Sequence, residues 1–96
     1  MSRTRRVRIG KKFIQATLIK LLNKNLIVLA GSKGYVMCGY LDLSVAEKFK
    51  DAAVRIVGVS TISRALKASV FSCTSFAGKL GIYPGQPIRE ALKIIA

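Results

Sequence analysis

The stretch Leu26 to Asp42, LIVLAGSKGYVMCGYLD, constrains the fold of this chain more than any other. Its first run, Leu26 to Ala30, is apolar at every position, as expected of a strand covered on both faces. Gly31 and Gly34 then bracket a short loop of the hairpin kind, and a second apolar run ends in Cys38-Gly39. The centre of the fold is therefore a strand pair. It establishes an architecture rather than a chemistry.

Period two extends the sheet toward the N-terminus. Val7 and Ile9 fall on one face with Arg6 and Arg8 on the other, and Gly10-Lys11 suits a two-residue turn with glycine first. Lys12 to Leu18 continues as the returning strand. The same region, KKFIQATLIKLLNK, also carries Ile14, Leu18, Leu21 and Leu22 at helical spacing, so a basic amphipathic helix is its competing reading. Phe13, Ile14, Thr17 and Ile19 favour the strand, which would pair with Leu26 to Ala30 across Asn23 and Asn25.

Beyond Asp42 the signals turn helical. Ser44-Val-Ala-Glu47 has capping-box spacing, and Val45, Ala46 and Phe49 form an apolar stripe. Val54 to Val57 reads as a strand, Gly58 loosens the backbone, and Ser60 is placed to cap a helix carrying Ile62, Ala65 and Leu66. Phe71, Phe76 and Leu80 predict one more short helix, with Cys73 on it, ending at Gly81. Pro84-Gly85 makes a turn, Pro87 takes a first helical position, and Ile88, Ala91, Leu92 and Ile95 give the last helix its buried face. The sequence thus predicts a single α+β domain over residues 1–96 with a mainly antiparallel sheet. Residues 1–42 form a β-rich region, and residues 43–96 are mainly helical with one strand near 54–57.

Composition adds two constraints. Half of the chain, 51%, is hydrophobic, more than a domain of 96 residues easily hides, which makes subunit contacts the expected outlet. The net charge is +13, and residues before Asn25 carry eight of the 17 basic groups (Arg3, Arg5, Arg6, Arg8, Lys11, Lys12, Lys20, Lys24) with no acid. Such a field attracts polyanions, nucleic acid among them, in a salt-sensitive way. Lys20, Lys24 and Lys33 interrupt the apolar stretches before a membrane span is reached. A signal-peptide reading of the basic start and FIQATLI fails on Gln15, Lys20 and the want of a prompt cleavage site. With only Cys38 and Cys73, no disulfide framework is expected, and the cytoplasm is the expected compartment.

The absence of histidine removes triads, Cys-His pairs and the commonest zinc sites from a single chain, and no phosphate-loop or dinucleotide fingerprint occurs, so no metal or cofactor is expected. Three candidate sites remain. Cys38, beside Gly39, is the best single candidate for a catalytic thiolate, against the alternative of a buried structural thiol. Gly58 to Arg64 presents hydroxyls and a cation where a strand gives way to a helix, a place for a small anion, against ordinary capping by Ser60 and Thr61. Lys33, Gly34, Gly39, Asp42, Ser60, Thr61 and Arg64 are the residues expected to line that cleft. Arg3, Arg5, Arg6, Arg8, Lys11 and Lys12 are the expected polyanion-binding set.

The strings Lys33-Gly-Tyr-Val-Met-Cys-Gly39, Leu41-Asp42, Val57-Gly-Val-Ser-Thr-Ile62, Leu80-Gly-Ile-Tyr-Pro-Gly85 and the closing Glu90-Ala-Leu92 together resemble the YunC-like family of bacterial and archaeal proteins, a domain of unknown function. The likeness runs from about Ile9 to Ile94. It implies a small α+β domain whose N-terminal β region assembles a homotetramer, and it supplies no catalytic residue. The strongly basic N-terminus departs from that pattern. The expectation is an uncharacterised homotetrameric protein that binds a small anionic ligand. A nucleic-acid-binding module and a Cys38-dependent enzyme are the alternatives.

Overall fold

A computed structural model describes residues 2–38 and 42–96. Six strands lie side by side in sequence order: β1 (Ser2–Ile9), β2 (Lys12–Leu21), β3 (Lys24–Ala30), β4 (Tyr35–Cys38), β5 (Ala53–Ile56) and β6 (Ser72–Cys73). Every adjacent pair is antiparallel except β4 and β5, which run parallel because α1 (Leu43–Lys48) lies between them in the chain. The remaining helices are α2 (Ile62–Leu66), α3 (Ser75–Lys79) and α4 (Ile88–Ile95). The fold is therefore α+β with a mixed, mostly antiparallel sheet.

The strand reading of Lys12 to Leu21 prevails over the helical one. Gly10, at φ 64°, opens the turn between β1 and β2, and Ile9 pairs with Lys12 across it. Alternation then assigns the faces. Ile9, Ile14, Ala16, Ile27, Leu29, Val36, Val54 and Ile56 point to one side, where α2 and α4 cover them. The covering stripe of α4 is Ile88, Ala91, Leu92 and Ile95, all fully buried at i, i+3, i+4 and i+7 spacing. Burying each of its larger side chains contributes about 1.5–3 kcal/mol before entropy is counted.

Four local expectations are corrected. Ser44 and Glu47 do not form a capping box: α1 begins two residues earlier, capped by Asp42, whose carboxylate accepts from Ser44 N and Oγ at 3.0 and 2.6 Å. Glu47 turns outward instead and takes Ser75 N and Oγ at 3.0 and 2.7 Å. Of the apolar stripe on α1 only Ala46 is buried, with Val45 and Phe49 exposed. The cap of α2 is Thr61, not Ser60, because it is Thr61 Oγ1 that reaches Arg64 N at 3.1 Å. The single helix expected across Phe71 to Gly81 divides into β6 and α3, so Cys73 sits on a strand.

Thr74 makes that division. It is 1% exposed, and its hydroxyl accepts from Ala53 N at 3.1 Å and Ala77 N at 3.3 Å while donating to the Asp51 carbonyl at 2.7 Å. One side chain thus ties the start of β5 to the cap of α3. Thr74→Val, nearly isosteric, would leave buried backbone groups unpaired and lose the cap. It should cost about 2–4 kcal/mol, read as a lower urea midpoint at unchanged slope.

Candidate functional site

Continue the inner-face alternation beyond the helices and its chemistry changes. On β1 the row Ile9, Val7 runs on to Arg5 and Arg3, and on β2 the row Ile14, Ala16, Leu18 runs on to Lys20. On β3 the residue before Ile27 in the same row is Asn25, directly opposite Lys20. The apolar floor becomes a basic one. Across it lies the segment after β5, where Gly58 at φ 72° turns the chain toward α2. Asn25 Nδ2 donates to the Ser60 carbonyl at 2.8 Å and joins that segment to the sheet.

Three concavities surround this segment. The first, about 650 Å³, is lined by Arg3, Arg5, Leu18, Lys20 and Asn25 from the sheet and by residues 60–63 opposite. The second, about 490 Å³, lies on the other side of the Asn25–Ser60 bridge and is lined by Asn23, Lys24, Cys38, Gly58 and Val59 as well as by that pair. The third, about 540 Å³, includes Thr61, Ser63, Arg64 and Lys67. Six cations therefore line the three concavities, and no carboxylate does.

The four acids are occupied elsewhere. Asp42 and Glu47 hold Ser44 and Ser75, and those hydrogen bonds lower both carboxyl pKa values. Asp51 accepts from the Tyr35 hydroxyl at 3.0 Å; burial first, then this bond and the nearby charge, push the Tyr35 pKa up. Glu90 pairs with Lys93 at 3.2 Å, the one ion pair among the described residues. The cleft cations are left without internal counter-ions.

The expected anion set is only partly brought together. Ser60, Thr61 and Arg64 meet at the cleft, but Lys33 and Gly34 line a separate concavity with Tyr35, Lys50 and Asp51, at the other end of β4 from Cys38. Gly34 is explained by packing, since a Cβ there would collide with the Ala52 carbonyl. Asp42 is spent on α1, and Gly39 lies outside the described residues. α2 is only five residues long and Thr61 already takes one of its first amides, so the positive charge at this place comes from its cations rather than from the helix end. The polyanion set divides as well. Arg3 and Arg5 enter the cleft; Arg6 stacks over Phe13 at 4.2 Å on the opposite face; Arg8 Nε donates to the Gly10 carbonyl at 2.8 Å; Lys11 and Lys12 are exposed at the far hairpin end. Lys20, Asn23, Lys24, Asn25, Ser63 and Lys67 belong to neither expected set. Lys20 and Asn25 are recoverable by extending the period-two rows, whereas the others depend on tertiary placement.

Cys38 is 4% exposed. Its Sγ accepts from Ile27 N at 3.2 Å and donates to the Asn25 carbonyl at 3.6 Å, so the thiol continues the β3–β4 ladder and supports Asn25, which joins the sheet to the segment after β5.

The fold is shared with a solved structure. The crystal structure of the protein of unknown function TA1206 from Thermoplasma acidophilum superposes with a TM-score of 0.95 at 38% identity, covering 100% of this chain and 94% of that one. The family described as "Domain of unknown function (DUF1805)" matches residues 37–95. This chain belongs to the DUF1805 family. It is also similar to the uncharacterized protein YunC of Bacillus subtilis (strain 168), 41% identical over 87 residues that cover 86% of this chain and 85% of that protein. Within the cleft, Ser60 to Lys67 fall inside the stretch matched by the DUF1805 description, while Arg3, Arg5, Lys20 and Asn25 precede it. Among the described residues no group of three or more Cys, Asp or Glu stands ready for a metal, and no helix is long and apolar enough to cross a membrane.

A packed, hydrogen-bonded thiol reacts only when its surroundings open. Peptide mapping after iodoacetamide treatment at neutral pH should find Cys38 unmodified in the folded protein and modified once urea unfolds it.

Proposed function

We propose that this DUF1805 protein is a homotetramer, assembled through its β region, that binds a small anionic ligand in the cleft between the sheet and residues 60–63. The observation that carries the ligand half is the convergence of Arg3, Arg5 and Lys20 with the Ser60, Thr61 and Ser63 hydroxyls in one concavity without a carboxylate. Guanidinium groups with hydroxyl donors beside them match the oxygens of phosphate or carboxylate. Sheltered from internal acids, these cations have their charge free for a ligand.

Support for assembly comes from the other face of the sheet. Ile19, Leu26, Val28 and Met37 are half-buried there, Phe13 and Leu21 are exposed, and Phe71 borders the Arg55 side chain. Arg55 stands in the same row as Val28 and Met37, and its Nε is buried without a hydrogen-bond partner among the described residues. A facing copy would cover the apolar row and offer that group a carbonyl. The basic face would remain outward.

Calorimetric titration with inorganic phosphate at low salt tests the ligand half. The Arg3→Ala/Arg5→Ala variant should lose about tenfold in affinity and Arg6→Ala/Arg8→Ala less than about twofold; equal losses would refute the cleft. Native mass spectrometry tests the assembly: four subunits are expected, and Met37→Lys should release smaller species with an unchanged circular dichroism spectrum. A monomeric parent protein would refute it.

A further inference from the structure

The two lobes that share Asn25 and Ser60 differ in chemistry, and the difference points to the kind of anion. The Arg3, Arg5 and Lys20 lobe is built for charge. Its neighbour is lined by one cation, Lys24, and otherwise by Asn23, Asn25, Ser60, Val59, Gly58 and Cys38, so that carboxamide residues outnumber charged ones there. Carboxamides carry both donors and acceptors, so they recognise an uncharged group that displays both. A bare inorganic anion has no use for such a lobe. A lipid chain would find too much polar lining there.

Resting on the anion reading above, we propose that the ligand is a nucleotide: its phosphate sits with Arg3, Arg5 and Lys20, and its base and sugar occupy the lobe of Asn23, Asn25 and Val59. At about 650 and 490 Å³ the lobes are each within the usual size of small-molecule sites. The Asn25–Ser60 hydrogen bond at 2.8 Å forms their common wall, so one ligand spanning the wall contacts both. The nucleotide is either free or one unit of a nucleic-acid strand. The third concavity bears on that choice, because Arg64 and Lys67 lie on the far side of the same segment, where a neighbouring phosphate of a strand would find its own cations.

Binding of inorganic phosphate, ribose 5-phosphate and adenosine and uridine monophosphates to the full-length protein at fixed low salt tests this. At least one nucleotide should bind tenfold or more tighter than inorganic phosphate and ribose 5-phosphate. Asn23→Ala, in an exposed turn and lining the second lobe alone, should remove that surplus and leave inorganic phosphate binding unchanged. Asn25→Ala, at the wall the lobes share, should lower the surplus as well. A hexanucleotide distinguishes the two sources: tighter binding than the mononucleotide, a steeper salt dependence and sensitivity to Arg64→Ala/Lys67→Ala identify a strand, and affinity equal to the mononucleotide identifies a free nucleotide. A nucleotide no tighter than inorganic phosphate, or a surplus that survives both asparagine variants, overturns the nucleotide assignment and leaves the anion cleft standing. Failure of phosphate and nucleotides alike overturns the cleft itself.

Discussion

The register of the β1–β2–β3 meander is the constraint on which the rest depends. Because side chains alternate, a slip of one residue would exchange the two faces along a whole strand. The observed pairing, Val7 with Ile14 and Ala16 with Leu29, puts the aliphatic rows beneath α2 and α4. The same pairing carries Arg3, Arg5, Lys20 and Asn25 along those rows to the end the helices leave open. Core and cleft are therefore two consequences of one register. Charge is tolerated on the inner face because it begins where the helical cover stops, so no arginine of the cleft is forced into the aliphatic interior.

A division of labour among the polar groups follows. With four carboxylates against 17 basic side chains, internal neutralisation was never available. The acids are used for structure: Asp42 starts α1, Glu47 fastens α1 to the first turn of α3, Asp51 holds Tyr35, and Glu90 meets Lys93. The exposed Glu90–Lys93 pair adds little stability. The more consequential polar contacts are neutral and buried, above all the Thr74 hydroxyl and the Cys38 thiol, each completing backbone hydrogen bonding where strands end. That arrangement leaves the positive surface uncompensated beside the cleft, where it raises the local concentration of anions.

Much of this was legible in the sequence, and the misses share a cause. The first hairpin and α4 were readable because each signal is local: alternation with a glycine at the turn, and four apolar residues at helical spacing. The capping box at Ser44 and Glu47 misled because the pattern is local and the true partner of Glu47, Ser75, is 28 residues away. The two-residue strand β6 exists only by pairing with β5, so no periodicity could announce it. In the site, Ser60 and Thr61 were visible as polar residues between a strand and a helix. Lys33 and Gly34 were misplaced because β4 separates them from Cys38 by its own length, about 3.3 Å for each residue. The arginines read as one set were split by the same alternation that organises the core.

The central claim is that the inner-face rows of the sheet end in an anion cleft. Titrating inorganic phosphate into isotopically labelled protein and following amide chemical shifts tests it most directly. The account predicts saturable shifts confined to residues 60–63 and the facing strand positions Arg3, Arg5, Lys20 and Asn25. Shifts centred on the Lys11–Lys12 turn, or spread weakly over every basic residue, would contradict it.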